Sequence, residues 1–205
     1  MLRKIILLCS AILLASLSYS GMAENSTSEQ FIGSLSERLQ VTLTEAKKDN
    51  KLDNVEYIDR LIDQEILPHL NLEALCKRVF REHWKDILQK GQKQNAIDAV
   101  VISLKRTYRL AVSSYSGQKI EVIDSKKKKS YDIVRIKINT NGKNDHTIDF
   151  AVRQFDSAWK VFDFSVDGIG VSKTLYSSIS QQIQSDGLEK TIRTLAQTTN
   201  ESTGS

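Results

Sequence analysis

The side chains that could carry chemistry in this 205-residue chain are few and scattered. Its three histidines, His69, His83 and His146, fall in three different segments. No HExxH and no CxxC accompanies them, so nothing in their spacing sets out a metal site. No GxSxG and no P-loop is present. Gly168 and Gly170 form a GxG that lacks a following glycine and comes after a strand-like run, which is not a nucleotide-binding turn. Cys76 has no histidine at a spacing that would make it a nucleophile, and its apolar flank keeps a thiol protonated. Glu65 is the one carboxylate on an apolar helical stripe, at i+7 from Ile58. It is either a structural acid near Pro68 or a charge at the rim of a pocket, close to a polar headgroup. No catalytic residue, metal ligand or cofactor is expected, and the chain does not read as an enzyme.

What the sequence offers instead is apolar surface, and the elements that carry it divide the chain. Arg3 and Lys4, the apolar run Ile5 to Leu17, and Gly21-Met22-Ala23 before Glu24 form a secretory signal peptide, residues 1–23, with cleavage expected after Ala23. The run is too short for the ~20 residues of a transmembrane helix. Residues 24–30 read as a disordered linker, 31–196 as one domain and 197–205 as a polar disordered tail. The exported chain keeps a single cysteine, so an internal disulfide is excluded. Removing Arg3 and Lys4 lowers the net charge from +4 to +2, too mild for nucleic acid. The concentrated basic run, Lys126 to Lys129, reads as a solvated hairpin loop or as a contact for anionic headgroups or an acidic partner.

Helical periodicity places a first amphipathic helix on Phe31, Leu35, Leu39 and Leu43. A second follows from about Val55, with Ile58, Leu61, Ile62 and Ile66 on one face. Pro68, the only proline, should end or kink it, and Asn71 can cap a third helix running from Leu72 through Trp84. Lys85 to Gln94 reads as a junction. A long helix then carries Leu104, Tyr108, Val112 and Tyr115, with Lys105, Arg106 and Arg109 on the opposite face. At Gly117 the period changes to two. Four strands follow, joined by turns that include Asn141-Gly142 and Asp156-Ser157. Val134, Ile136 and Ile138 share one face. Ile148, Phe150 and Val152 share another, as do Phe162, Phe164 and Val166, leaving Val161 on the far side. Helical spacing returns at Val171 and Leu175, and a short last helix follows Gly187. This order specifies an α+β fold, a helical layer on one face of a four-stranded antiparallel meander. If the layers pack closely, these side chains form a plain core; if they are splayed, they line an apolar cavity.

Several segments together resemble a known family. Asp63-Gln64-Glu65-Ile66-Leu67-Pro68-His69-Leu70 is similar to the Asp-x-Glu-Leu-Leu-Pro-Tyr segment of the MlaC family, periplasmic phospholipid-binding proteins also described as toluene-tolerance auxiliary components. Tyr108 to Tyr115 before Gly117, Trp159-Lys160-Val161-Phe162-Asp163, and Asp167-Gly168-Ile169 look like that family's helix end, strand and turn. The likeness covers residues 31–196 in the family's order. It departs after the turn, where Gly170 to Tyr176 lacks the family's Asn-Tyr-Arg pattern.

The resemblance implies an NTF2-like cone with an apolar cavity between its layers. It implies a periplasmic carrier, with phospholipid as cargo, working between an inner-membrane ABC transporter with an MCE ring and an outer-membrane lipoprotein–porin complex to maintain outer-membrane lipid asymmetry. The expected pocket residues are Ile58, Leu61, Ile62, Leu104, Tyr108, Val112, Tyr115, Val134, Ile136, Ile148, Phe150, Val152, Phe162, Phe164, Val171 and Leu175. Two other readings compete. A periplasmic adaptor with a close-packed core would show a filled interior and carry no lipid. A hydrolase would need a polar constellation inside, for which only Tyr108, Tyr115 and Glu65 are placed.

Overall fold

The structure, a computed structural model, describes residues 26–140 and 143–197. The expected leader 1–23, the expected Asn141-Gly142 turn and residues 198–205 lie outside the described residues. Helix α1 (Ser28–Lys48) begins inside the stretch read as a linker. Thr27 and Gln30 form a reciprocal capping box there, and buried Ser28 donates to Asp132 at 2.6 Å. A polar composition gave no hint of that start, because the helix is held by its cap and by the sheet. Helix α2 (Val55–Leu61), capped by Asn54, runs on as a π turn over Ile62–Ile66 and a 3₁₀ turn over Leu67–His69. Pro68 thus ends the α-helix by widening and then tightening it, while Leu67 stays helical. Asn71 caps α3 (Leu72–Phe80), its Oδ1 accepting from Ala74 N–H at 2.8 Å.

Helix α3 does not continue to Trp84. Arg81 takes φ 42° and ψ −111°, a conformation costly for a side-chain-bearing residue. Its guanidinium lies 3.7 Å from the ring centroid of Tyr176, so a tertiary contact holds the break. A 3₁₀ turn and α4 (Trp84–Gln89) follow, and the segment read as a junction is therefore largely helical. Buried Trp84 and Ile87 explain why. Helix α5 (Lys93–Ser113) leads to the sheet.

Strands β1 (Lys119–Lys127), β2 (Asp132–Thr140), β3 (Lys143–Phe155) and β4 (Ala158–Val166) form the expected antiparallel meander. A two-residue β5 (Ile169–Gly170) adds to its edge. Asp156 and Ser157 both have positive φ, 48° and 66°, as a primed hairpin turn requires. Helices α6 (Val171–Asp186) and α7 (Leu188–Gln197) close the chain. Strand β1 reaches Lys127, so half of the lysine run is strand end rather than loop.

The expected alternation fails at one place. Between Ala151 and Val152 the β3–β4 register slips, pairing Val152 with Val161 instead of Phe162. This β-bulge turns Val161 inward, where it is buried with Val134 and Val152. Phe162 leaves the inner face. It meets Tyr131 edge-on at 5.7 Å, with the Arg78 and Arg153 guanidinium carbons 5.5 and 5.6 Å from its centroid.

Strand β4 also anchors the helices. Asp163 Oδ2 accepts from Arg78 Nε and from Ser172 Oγ, both at 2.7 Å, and Oδ1 accepts from Phe164 N–H at 2.9 Å. Gly170 gives α6 no side-chain cap, so the Asp163 carboxylate supplies negative charge to that helix N-terminus from the neighbouring strand. Asp163→Ala should cost about 2 kcal/mol, because it strands the buried Ser172 hydroxyl and removes the partner of the exposed Arg78 guanidinium. Urea unfolding of the variant beside Ser172→Ala, which should lose about 1 kcal/mol, checks the difference.

Candidate functional site

Most of the expected pocket residues lie on the inner face of the sheet and on the helices above it. Leu70 and Asn71 dock on β4: Leu70 forms a parallel bridge with Val161, Asn71 N–H donates to Val161 O at 2.8 Å, and Lys160 Nζ donates to Pro68 O at 2.5 Å. His69, on the same corner, meets Phe31 edge-on and accepts at Nε2 from Arg38 of α1 at 3.0 Å. Upstream, α2 and its π turn are clamped to α5. Arg109 makes a bidentate pair with Asp59 at 2.7 and 2.6 Å, and Lys105 meets Asp63 at 2.5 Å. The acids are four residues apart on one helix and the bases four apart on the other, so the two helices lock side by side. These pairs went unrecognised in the sequence because the spacing on one helix does not name the partner helix.

The helices do not cover the sheet evenly. Helix α1 packs on β1 and β2, and α3 and α6 pack on β4, whereas α5 packs on α7, α2 and α3. Tyr108 of α5 spans toward the sheet: its ring lies 5.8 Å from Phe164, which lies 6.3 Å from Phe150, its register partner on β3. Three apolar clusters result instead of one. Leu104 and Val171 are buried in the first, with Tyr108, Phe164 and Leu175 only partly buried against it. Val134, Ile136 and Val152 are buried in the second, where Ile148 and Phe150 are half-buried. Leu61 and Tyr115 belong to a third, under α1 with Leu43, Ala46 and Leu52, and Val112 lies against it. Ile58 and Ile62 are buried. The inner face of the sheet and the helical wall therefore keep several apolar side chains that are only partly buried.

Of the expected pocket set, Phe162 is on the opposite face, and Val161 stands inward in its place. Leu61 and Tyr115 serve the cluster beneath α1, where Tyr115 Oη is 3.1 Å from Thr44 Oγ1. Adjacent apolar residues at Val161 and Phe162 were the one sequence sign that the alternation could slip. Two clefts are present among the described residues, neither between the sheet and α5. One of about 770 Å³ opens between α1 and β1, lined by polar residues such as Gln30, Glu37 and Lys119 beside Ile120 and Val122. One of about 340 Å³ lies on the outer sheet face around Arg78, Tyr131 and Phe162.

Ionisable groups inside are few. Burial raises the pKa of the Tyr108 hydroxyl and pushes the Cys76 thiol up to about 12, so both stay neutral. Glu65 is half-buried near the corner, close enough to His69 to act on its charge. Among the described residues no group of three or more His, Cys, Asp or Glu side chains could hold a metal ion.

The family model described as MlaC protein matches residues 34–197. The intermembrane phospholipid transport system binding protein MlaC of Haemophilus influenzae is 26% identical over 121 residues, 57% of this chain. The chain spans 55% of that relative's length. A phospholipid-binding protein from Ralstonia solanacearum, solved in complex with a phospholipid, superimposes with a TM-score of 0.74 at 21% identity, covering 83% of this chain and 95% of the other. That likeness is one of fold.

Burial, then the positive charges of Arg38 and Lys160, hold the pKa of His69 below its ordinary 6.5, against the pull of Glu65. The folded state then binds fewer protons than the unfolded one, so stability rises with pH up to about 6.5 and is lost below it. Urea unfolding at about pH 7.5 and 5.5 should show a smaller loss on acidification in His69→Gln than in the parent.

Proposed function

The chain belongs to the MlaC family, and we propose that it is a phospholipid carrier whose acyl chains lodge between the sheet and the α2–α5 wall. One observation carries the reading: Tyr108, Phe150, Phe164, Ile148 and Leu175, where the helices meet the sheet, remain only partly buried. Each buried CH₂ contributes about 0.8 kcal/mol, so an apolar gap takes acyl chains without covalent chemistry. A neutral Tyr108 hydroxyl and an inert Cys76 suit a carrier rather than a hydrolase. The adaptor reading asks for a filled interior, and the three separate clusters oppose it.

The name of the Haemophilus relative and the phospholipid in the Ralstonia structure support the same cargo here. With the leader 1–23, they support a periplasmic carrier that works between an inner-membrane ABC transporter with an MCE ring and an outer-membrane lipoprotein–porin complex. No described helix is long and apolar enough to cross a membrane. In this reading the cargo headgroup stays at the rim.

Organic extraction of the purified protein followed by mass spectrometry should recover phospholipid. Leu175→Trp, which fills the gap without placing charge in it, should fold and lose most of that lipid, as should Phe150→Arg. Phe162→Ala, on the other face, should keep it. Lipid-free parent protein that also takes none from vesicles would overturn the proposal.

A further inference from the structure

The lysine run takes no part in the space between the layers, and its surroundings give it a separate use. Lys127, Lys128 and Lys129 are exposed at the β1–β2 tip, and among the described residues none has a carboxylate partner, while Lys126 pairs with Asp124 at 2.9 Å. The tip leads through Ser130 into the cleft on the outer face of the sheet. Ser130 and Tyr131 line the cleft there with Arg78, Arg153 and Phe162. Arg153 is exposed and makes no ion pair among the described residues; its guanidinium carbon sits 4.5 Å from the centroid of Phe155 and 5.6 Å from that of Phe162. The acids beside it are already engaged. Asp149 is held by Arg135 at 2.5 and 2.8 Å, Asp163 by Arg78 and Ser172, and Asp132 by Ser28. Asp156, in the β3–β4 turn, and Glu29, next to Ser28, are exposed acids at this end.

We propose that this end of the sheet, Lys127 to Lys129 with Arg153 and the Tyr131 and Phe162 rings, docks the protein on an anionic phospholipid bilayer. The surface goes beyond the cargo reading and lies on the face of the sheet opposite the proposed gap. A run of flexible exposed ammonium groups suits a broad sheet of phosphates better than one small anion. Each cation near such a surface strengthens binding roughly fivefold. Half-buried aromatic rings beside the cations suit the headgroup level, where amphipathic rings settle. The guanidinium of Arg153, already seated over two rings, is oriented before any contact is made.

The test is co-sedimentation of the purified protein with vesicles of phosphatidylcholine alone or of phosphatidylcholine with phosphatidylglycerol. Association with the anionic vesicles only is expected. It should fade between about 0.1 M and about 1 M salt, as the screening length falls from about 10 to about 3 Å. The triple variant Lys127→Gln, Lys128→Gln, Lys129→Gln should bind those vesicles about 100-fold more weakly and keep its co-purified lipid content and urea midpoint. Arg153→Gln should lose about fivefold. Equal binding of parent and triple variant, or equal binding to both vesicle types, overturns the proposal. So does a parent that binds polyglutamate but not anionic vesicles, which would assign the tip to an acidic protein segment. Loss of co-purified lipid from the parent would sink the cargo reading and leave this one standing.

Discussion

The backbone of Leu70 and Asn71, docked on Val161, is the contact on which the rest of the molecule depends. It fixes where the helical wall meets the sheet. Pro68 has already converted the end of α2 into a π turn and a 3₁₀ turn, so the chain arrives at β4 with its direction set. Asn71 then serves twice, its backbone N–H donating to β4 while its side chain caps α3. A strand and two helical segments are joined through two residues. The angle between them cannot relax without breaking hydrogen bonds in a half-buried place.

From that joint the wall extends as a lever. Asp59–Arg109 and Asp63–Lys105 bind α2 and the π turn to α5, so helices that lie over the sheet are held mainly by one another. On the far side Asp163 ties α6 and α3 to β4. Between them, the rings of Tyr108, Phe164 and Phe150 bridge α5 to the sheet. Rings about 6 Å apart give attraction without demanding a unique fit. The wall is thus anchored at its ends and bridged in the middle by aromatic rings.

The two faces of the sheet are chemically unlike. The inner face is aliphatic and aromatic. The outer face carries Arg135–Asp149 and the Arg–aromatic cluster around Phe162. The bulge at Val161 and Phe162 makes that division possible. It sends a valine inward beside Val152, where β4 meets the docked corner, and sends the larger ring outward to seat two guanidinium groups. Without it, two bulky apolar side chains would change places and the corner would have to move off the strand.

Much of this was legible before any coordinates. The element order, the change of period at Gly117, the Asn71 cap, the Asp156-Ser157 turn and most of the inward strand residues follow from periodicity and turn chemistry, which act between residues close in the chain. The α+β class follows too, since strands with one apolar face must find a helical cover. What the sequence could not determine acts between distant residues. The end of α3 at Arg81 depends on Tyr176, and the start of α1 depends on Asp132. The face of Phe162 depends on which residue of β3 its strand meets. Whether the apolar faces close into a core or stay apart depends on how far α5 stands from the sheet. That distance is set by the corner on Val161 and the ion pairs of α2, and periodicity is silent about it, because the same stripe of apolar residues suits a closed interface and an open one.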